Sequence, residues 1–178
     1  MHRLIKTGIS LLILIPALAS ALPDDWQKEM TILSDTAEID RRAGTVIYEG
    51  NVILTQGTLK IEADRLLVLR NGNSLEKAVA EGRPARYEQQ IEIDKPVTKA
   101  NGKRIDYYTA ERRITVTGDA ELRQEGNLFS GEEITYDMVS ETVKASGQQT
   151  NDSAPVGETS GDGRIKVVIQ PPKPAEEP

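Results

Sequence analysis

The 178-residue sequence predicts an all-β fold, long, narrow and open at both ends, on three observations. Apolar and polar residues alternate with a period of two in segment after segment from Met30 onward, as in strands with one buried face. Gly, Asn and Asp punctuate these segments at close intervals, as turns require. The chain also repeats itself weakly, with leading glycines 32, 36 and 29 residues apart, a period that points to stacked supersecondary units.

Before the strands comes a secretory signal. Arg3 and Lys6 give a positive start, residues 9–15 are apolar except for Ser10, and Ala19-Ser20-Ala21 is a small-residue cleavage pattern. The apolar run is shorter than the ~20 residues of a spanning helix, and Pro16 interrupts it. Residues 1–21 are therefore expected to be removed, leaving one domain over residues 22–170. Residues 24–32 have room for one short turn.

The strands follow in order. Thr45-Val46-Ile47-Tyr48 leads into residues 50–56, and residues 59–69 form a partner strand that includes the apolar run 66–69. Arg104-Ile105-Asp106-Tyr107, Ile114-Thr115-Val116-Thr117, Ala120-Glu121-Leu122-Arg123 and Glu133-Ile134-Thr135-Tyr136 alternate in the same way. They are rich in Thr, Val, Ile and Tyr, which strands favour. Arg42-Ala43-Gly44, Gln56-Gly57, Asn71-Gly72-Asn73, Asn101-Gly102 and Glu125-Gly126-Asn127 are read as tight turns. Residues 148–163 have the composition of a flexible loop, residues 164–169 that of a last strand, and the Pro-rich residues 171–178 that of a disordered tail.

The repeat aligns Gly50-x-Val52-x-Leu54-x-Gln56 with Gly118-x-Ala120-x-Leu122-x-Gln124. Residues 82–89 carry the same pattern with one insertion, and Gly147 starts a degraded copy. Units of two or three strands cannot bury an apolar face alone, but stacked units share a continuous seam. Val46, Tyr48, Val52, Leu54, Ile61, Ala63, Tyr87, Ile105, Tyr107, Ala120, Leu122, Ile134 and Tyr136 fall on its inward parity, with Met30 and Ile32 at the N-terminal mouth. An open end leaves unpaired backbone groups that a like molecule can complete.

What is missing narrows function. There is no Cys, and the only His is His2, inside the signal. Thiolate nucleophiles, disulfides, Cys- or His-ligated metals and Ser-His-Asp arrangements are thereby excluded. The chain has 22 basic and 28 acidic residues, net −6; losing Arg3 and Lys6 makes it −8. An acidic chain without a long basic cluster argues against a nucleic-acid partner. Glu62 with Asp64, and Glu121 with Arg123, fall on the polar parity, where they are solvated rather than catalytic. Asp35, Asp64 and Glu132 lack calcium-loop spacing. Arg83, Arg86, Lys95, Lys99, Lys103 and Arg104 could meet phosphates, or simply keep a surface soluble.

Several stretches together resemble the OstA-like family of periplasmic lipopolysaccharide-transport proteins: Ser34-Asp35, residues 49–64, Gly82-Arg83-Pro84-Ala85, Thr117-Gly118-Asp119-Ala120 and residues 131–136. The block G-N-V-x-L-T-Q-G-T-L-K-I-x-A-D is the most specific. The resemblance implies a twisted, elongated antiparallel β-jellyroll whose seam takes the acyl chains of lipopolysaccharide. It also implies head-to-tail assembly into a bridge between an inner-membrane-anchored partner of the same fold and an outer-membrane translocon carrying an OstA-like domain. No catalysis and no cofactor are expected. On periodicity alone the seam is an ordinary packed core, and for Tyr87 and Tyr107 packing and lipid contact both stand. The alternatives are a structural β-solenoid filament without ligand and, disfavoured by the missing His, an enzyme on a β-helix.

Overall fold

The computed structural model describes residues 25–72, 74–147 and 163–171. Among these residues a short 3-10 turn (Asp25–Gln27) precedes ten strands: β1 (Met30–Leu33), β2 (Thr36–Asp40), β3 (Thr45–Gln56), β4 (Leu59–Asn71), β5 (Ser74–Gln89), β6 (Thr98–Tyr108), β7 (Arg113–Gln124), β8 (Asn127–Asp137), β9 (Thr142–Ser146) and β10 (Lys166–Val168). All belong to one antiparallel sheet, a meander from β3 to β8. Both edges are split: β1 and β2 share β3, while β9 and β10 share β8.

The central strands are two to three times longer than the alternating segments that reveal them, because each crosses a line of bulges in mid-strand. On β3, Gly50 and Asn51 face the single Asp64 of β4; on β7, Gly118 and Asp119 face the single Glu132 of β8. Both pairs adopt the left-handed region, with φ of +79° and +47° in the first and +78° and +51° in the second. Glycine reaches that region without steric cost, and Asn and Asp tolerate it. Irregularities on β5 and β6 continue the line. A bulge bends and twists its strand, so a row of them creases the sheet.

The crease folds the sheet onto itself. Tyr87 pairs with Ala100, seven residues along β6 from Tyr107, about 23 Å in a flat strand; yet the two rings stand 6.2 Å apart. Gln124 pairs with Asn127, nine residues from Tyr136, about 30 Å when flat, yet its Nε2 donates to Tyr136 Oη at 2.7 Å. The first leaf comprises residues 45–49, 65–71, 74–81, 104–108, 113–117 and 133–137. It faces a second leaf of residues 52–56, 59–62, 85–89, 98–101, 120–124 and 127–131. One apolar cluster lies between them. The crease closes one side, and the free ends of the leaves meet at a lip on the other.

The sequence reading needs three corrections. Asn101-Gly102 is no turn; it lies inside β6 on the crease, where a Cβ on Gly102 would come within 2.6 Å of Val116 Cγ1. The last strand covers Lys166–Val168 rather than residues 164–169. The repeat is a hairpin within one continuous sheet, with its glycines on the crease at β3, β5 and β7 rather than at strand starts. The signal over residues 1–21, residues 148–162 of the loop and residues 172–178 of the tail lie outside the described residues.

Candidate functional site

The site is the seam between the leaves. Fifteen residues are expected there from sequence. Of these, Val46, Val52, Leu54, Ile61, Tyr87, Ile105, Tyr107, Ala120, Leu122, Ile134 and Tyr136 are buried in the apolar cluster, and Met30, Ile32, Tyr48 and Ala63 pack half-buried against it. Alternation brings them inward on each leaf. The crease lets both leaves present the same face, although the inward parity changes between them: Ile61 is followed by Leu66 on β4, and Ala100 by Ile105 on β6. Met30 and Ile32 lie on the edge strand, opposite Gln56 and Leu54. Side chains fill the seam, and Tyr87, Tyr136, Leu54, Ile105 and Leu122 have no exposed surface.

Sequence reasoning missed other members. Leu59, Leu66, Val68, Ala78, Ala80, Ile114 and Val116 alternate correctly, but their inward parity depends on where each strand crosses the crease. Ile91 and Met138 sit in loops at the lip, where no periodicity marks them.

The lip carries the polar groups of the interior. Tyr87 Oη donates to Gln89 Oε1 at 2.7 Å and stands 4.0 Å from Met138 Sδ. Gln89 Nε2 donates to Asp25 Oδ2 at 2.7 Å. Asp25 also accepts from Thr58 N at 2.8 Å and Thr58 Oγ1 at 2.6 Å. Burial pushes the Tyr87 phenol well above its ordinary range, and the neighbouring phenols of Tyr107 and Tyr136 add to the shift. Tyr107 is raised by burial and by the Asp25 carboxylate. Tyr136 is raised by burial, against the opposing hydrogen bond from Gln124. All three phenols are neutral at physiological pH, which makes them amphipathic contacts rather than acids or bases. Exposed apolar side chains gather at three places: Ile93, Val97 and Val139 in the loops of the lip, Leu33 and Ile39 on the first edge, and Ile165, Val167 and Ile169 at the last.

Apart from Asp25 at the lip, the charged groups lie on the outside. Arg104 reaches Asp106 at 2.7 Å and Glu81 at 2.8 Å, and Lys77 reaches Asp106 at 2.6 Å. The Tyr108 ring lies under both Lys77 and Arg113. Burial raises the Asp106 carboxyl, but the hydrogen bonds from Arg104 and Lys77 outweigh it, and the net direction is down. Of the basic residues considered for phosphates, Arg83, Lys95, Lys99, Lys103 and Arg104 pair with Asp64, Glu125, Glu88, Asp119 and Glu81, respectively. Glu62 is paired with Lys60, and Glu121 with Arg123. Asp35 accepts from Asn51 at the crease. A hollow of about 240 Å³ at the crease is lined in part by Glu62, Asp64 and Arg86. Among the described residues, no three carboxylates converge as a metal site, and no helix is long and apolar enough to cross a membrane.

Residues 31–142 match the family model described as LptA/(LptD N-terminal domain) LPS transport protein. The lipopolysaccharide export system protein LptH of Pseudomonas aeruginosa is 37% identical over 161 residues, 90% of this chain and 89% of that protein. The lipopolysaccharide export system protein LptA of Escherichia coli K12 is 32% identical over 147 residues, 79% of each chain. The crystal structure of the Pseudomonas LptH, described as the LptA-homologous periplasmic component of the conserved lipopolysaccharide transport device, superposes with a TM-score of 0.72. It is 37% identical in sequence, and the match covers 84% of this chain and all of that one.

Proposed function

The chain belongs to the LptA/LptD N-terminal-domain family of lipopolysaccharide transport proteins, and from that premise we propose that it is a periplasmic carrier of lipopolysaccharide that works without catalysis or cofactor. The acyl chains lodge in the seam between the leaves, against Tyr87, Tyr107, Leu54, Leu122 and their neighbours. Each buried methylene contributes about 0.8 kcal/mol, so chains bind without any charge-specific contact. The side chains close over one another, so a chain gains access by parting the leaves at the lip. Few polar contacts join the two sides among the described residues: Gln124–Tyr136 crosses between the leaves, and the Tyr87 hydroxyl stands 4.0 Å from Met138 Sδ.

The observation that carries the reading is that the two edges of the sheet are split in the same way about one seam. β2 extends the first leaf and β1 the second; at the far edge β9 extends the first and β10 the second. Successive strands alternate in direction, so β9 and β10 run opposite to β2 and β1. When the last edge of one copy meets the first edge of the next, β9 lies antiparallel to β2 and β10 to β1. The sheet and the seam then continue from one copy into the other. The exposed Leu33, Ile39, Ile165, Val167 and Ile169 are thereby covered. Such head-to-tail copies form a bridge that begins at an inner-membrane-anchored partner of this fold and ends at an outer-membrane translocon with an OstA-like domain.

In-cell photocrosslinking tests the carrier. A photoreactive residue replaces Tyr87, Tyr107 or Ile32, with the exposed Arg86 as control, and blots are probed for lipopolysaccharide. Adducts at the inward positions alone are expected. Their absence in folded protein refutes the carrier and leaves a structural filament. Proline substitutions along β9, at positions whose N–H points away from β8, are expected to abolish concentration-dependent assembly in light scattering while the monomer stays folded.

A further inference from the structure

We propose that the 3-10 turn is a strap along the second-leaf margin of the lip, with Asp25 as its clasp, and that an acyl chain lodging beside Tyr87 releases it. This rests on the carrier reading. The seat is built for the carboxylate. Thr58 N, Thr58 Oγ1 and Gln89 Nε2 converge on its two oxygens at 2.6–2.8 Å. Gly57 leaves the space open: a Cβ there would stand 2.1 Å from Asp25 Oδ1. The strap therefore ties residues 25–27 to the β3–β4 turn and to the end of β5, at the free margin of the second leaf. Tyr107 of the first leaf is close enough to feel the Asp25 charge.

The choice of residue distinguishes a release device from a permanent lock. Asp25 is 5% exposed, yet none of the ion pairs among the described residues includes it. A buried carboxylate without a cation loses its hydration and recovers it only through its hydrogen bonds. Opening the strap returns the carboxylate, the Thr58 hydroxyl and the Gln89 amide to water, so the closed and open states are nearly balanced. A lock would use an apolar side chain, whose exposure to water costs free energy. The trigger is in direct contact with the clasp: the Gln89 side chain that donates to Asp25 accepts from Tyr87, a fully buried member of the seam. A chain that displaces the Tyr87 ring pulls its hydroxyl from Gln89 and frees that amide to turn away from Asp25.

The clasp has its own reporter: the Thr58 N–H, which donates to Asp25 Oδ1 at 2.8 Å. Hydrogen exchange of the Thr58 amide is measured in the full chain with and without purified deep-rough lipopolysaccharide, with binding followed separately by co-elution. Exchange should quicken on binding to wild type. In Asp25→Ala, and in Gly57→Ala, which fills the seat, it should be fast before any ligand is added. Association should then be faster by about fivefold, the worth of one net hydrogen bond. Co-elution with unchanged Thr58 exchange in wild type, or wild-type exchange in both folded variants, overturns the strap and leaves the carrier intact. Failure of lipopolysaccharide to co-elute with any of the folded proteins overturns both.

Discussion

Gly50 and Gly118 make a matched experiment on the crease. Their backbones are the same, with φ of +79° and +78°, so replacing either with Ala carries the same left-handed penalty of about 1–2 kcal/mol. Their surroundings differ. At Gly118 the added Cβ meets the Lys103 side chain, 2.8 Å from its Cδ and 2.9 Å from its Cβ. The outer carbons swing away, and the Cβ contact is matched at Gly50 by Asp35 Cβ, also at 2.9 Å, so it weighs equally at both sites. At Gly50 it would stand 2.2 Å from Asp35 Oδ2. Asp35 joins β1 to β2 on the edge: its carboxylate accepts from Asn51 Nδ2 at 2.9 Å, and its N–H donates to Gly50 O at 3.0 Å. Expelling that side chain adds the loss of at least one hydrogen bond, about 1 kcal/mol. Gly118→Ala should therefore cost at least about 1–2 kcal/mol, and Gly50→Ala about 1 kcal/mol more. At about 2–4 °C per kcal/mol for a domain of this size, the two melting temperatures should separate by a few degrees. Urea titration gives the free energies, and the thermodynamic cycle with Asp35→Ala gives the coupling. In the Asp35→Ala background the cost of Gly50→Ala should fall to that of Gly118→Ala. Equal costs in the wild-type background, or no coupling to Asp35, would refute the assignment of Asp35 as the stitch of the edge.

Three further outcomes are expected. Leu54→Ala, at a site with no exposed surface, should cost about 2–5 kcal/mol in urea unfolding, whereas Tyr136→Phe, which removes one lip hydrogen bond, should cost about 1 kcal/mol. Asp106→Asn should destabilise by about 1–2 kcal/mol at neutral pH, discounted because its partners Lys77 and Arg104 lie on the solvent-screened outer face. The folded carboxyl titrates below its unfolded value, so its contribution is present above about pH 4 and fades as pH falls through the lowered value. The gap between wild type and Asp106→Asn should therefore narrow when unfolding is repeated near pH 3. Tyr108→Leu, which strips the ring from beneath Lys77 and Arg113, should cost about 0.5–1 kcal/mol, read by the same denaturation.

Alternation made the seam legible because a strand with one buried face writes its orientation into every second residue. Val52, Leu54, Ile105, Ile134 and Tyr136 could all be placed inward from sequence, and all are buried. The crease was not legible, since a bulge and a hairpin turn use the same residues. Glu125-Gly126 is a turn and Asn101-Gly102 is not, and only the register of the neighbouring strands distinguishes them. The parity change from Ile61 to Leu66 follows from that register too. The polar clasp at Asp25 was equally hidden. Its partners Thr58 and Gln89 are 33 and 64 residues away in sequence, and no local pattern announces a contact made only when the sheet folds over.

The closed seam bears directly on how a carrier of this kind could let go. An open apolar channel would receive a twelve-carbon chain with about 10 kcal/mol of transfer free energy, and several such chains on one glycolipid would be held almost irreversibly. Here Tyr87, Leu54, Ile105 and Leu122 already cover one another, so their surfaces gain nothing further by leaving water. In the carrier proposed above, a chain entering between the leaves would replace side-chain contacts with lipid contacts, and the parting of the leaves and the loss of lip hydrogen bonds would subtract from the gain. The net affinity per chain falls well below the transfer value. Similar apolar layers on successive hairpins then differ little in free energy, which favours movement along the seam over retention at one place. Near-equal sites have no inherent direction, so a carrier built in this way would need a bias from outside the seam. A seam variant that opens a permanent cavity, such as Leu54→Ala with Leu122→Ala, should accordingly retain lipopolysaccharide longer than wild type in a transfer assay between labelled and unlabelled copies, and faster release would contradict this account.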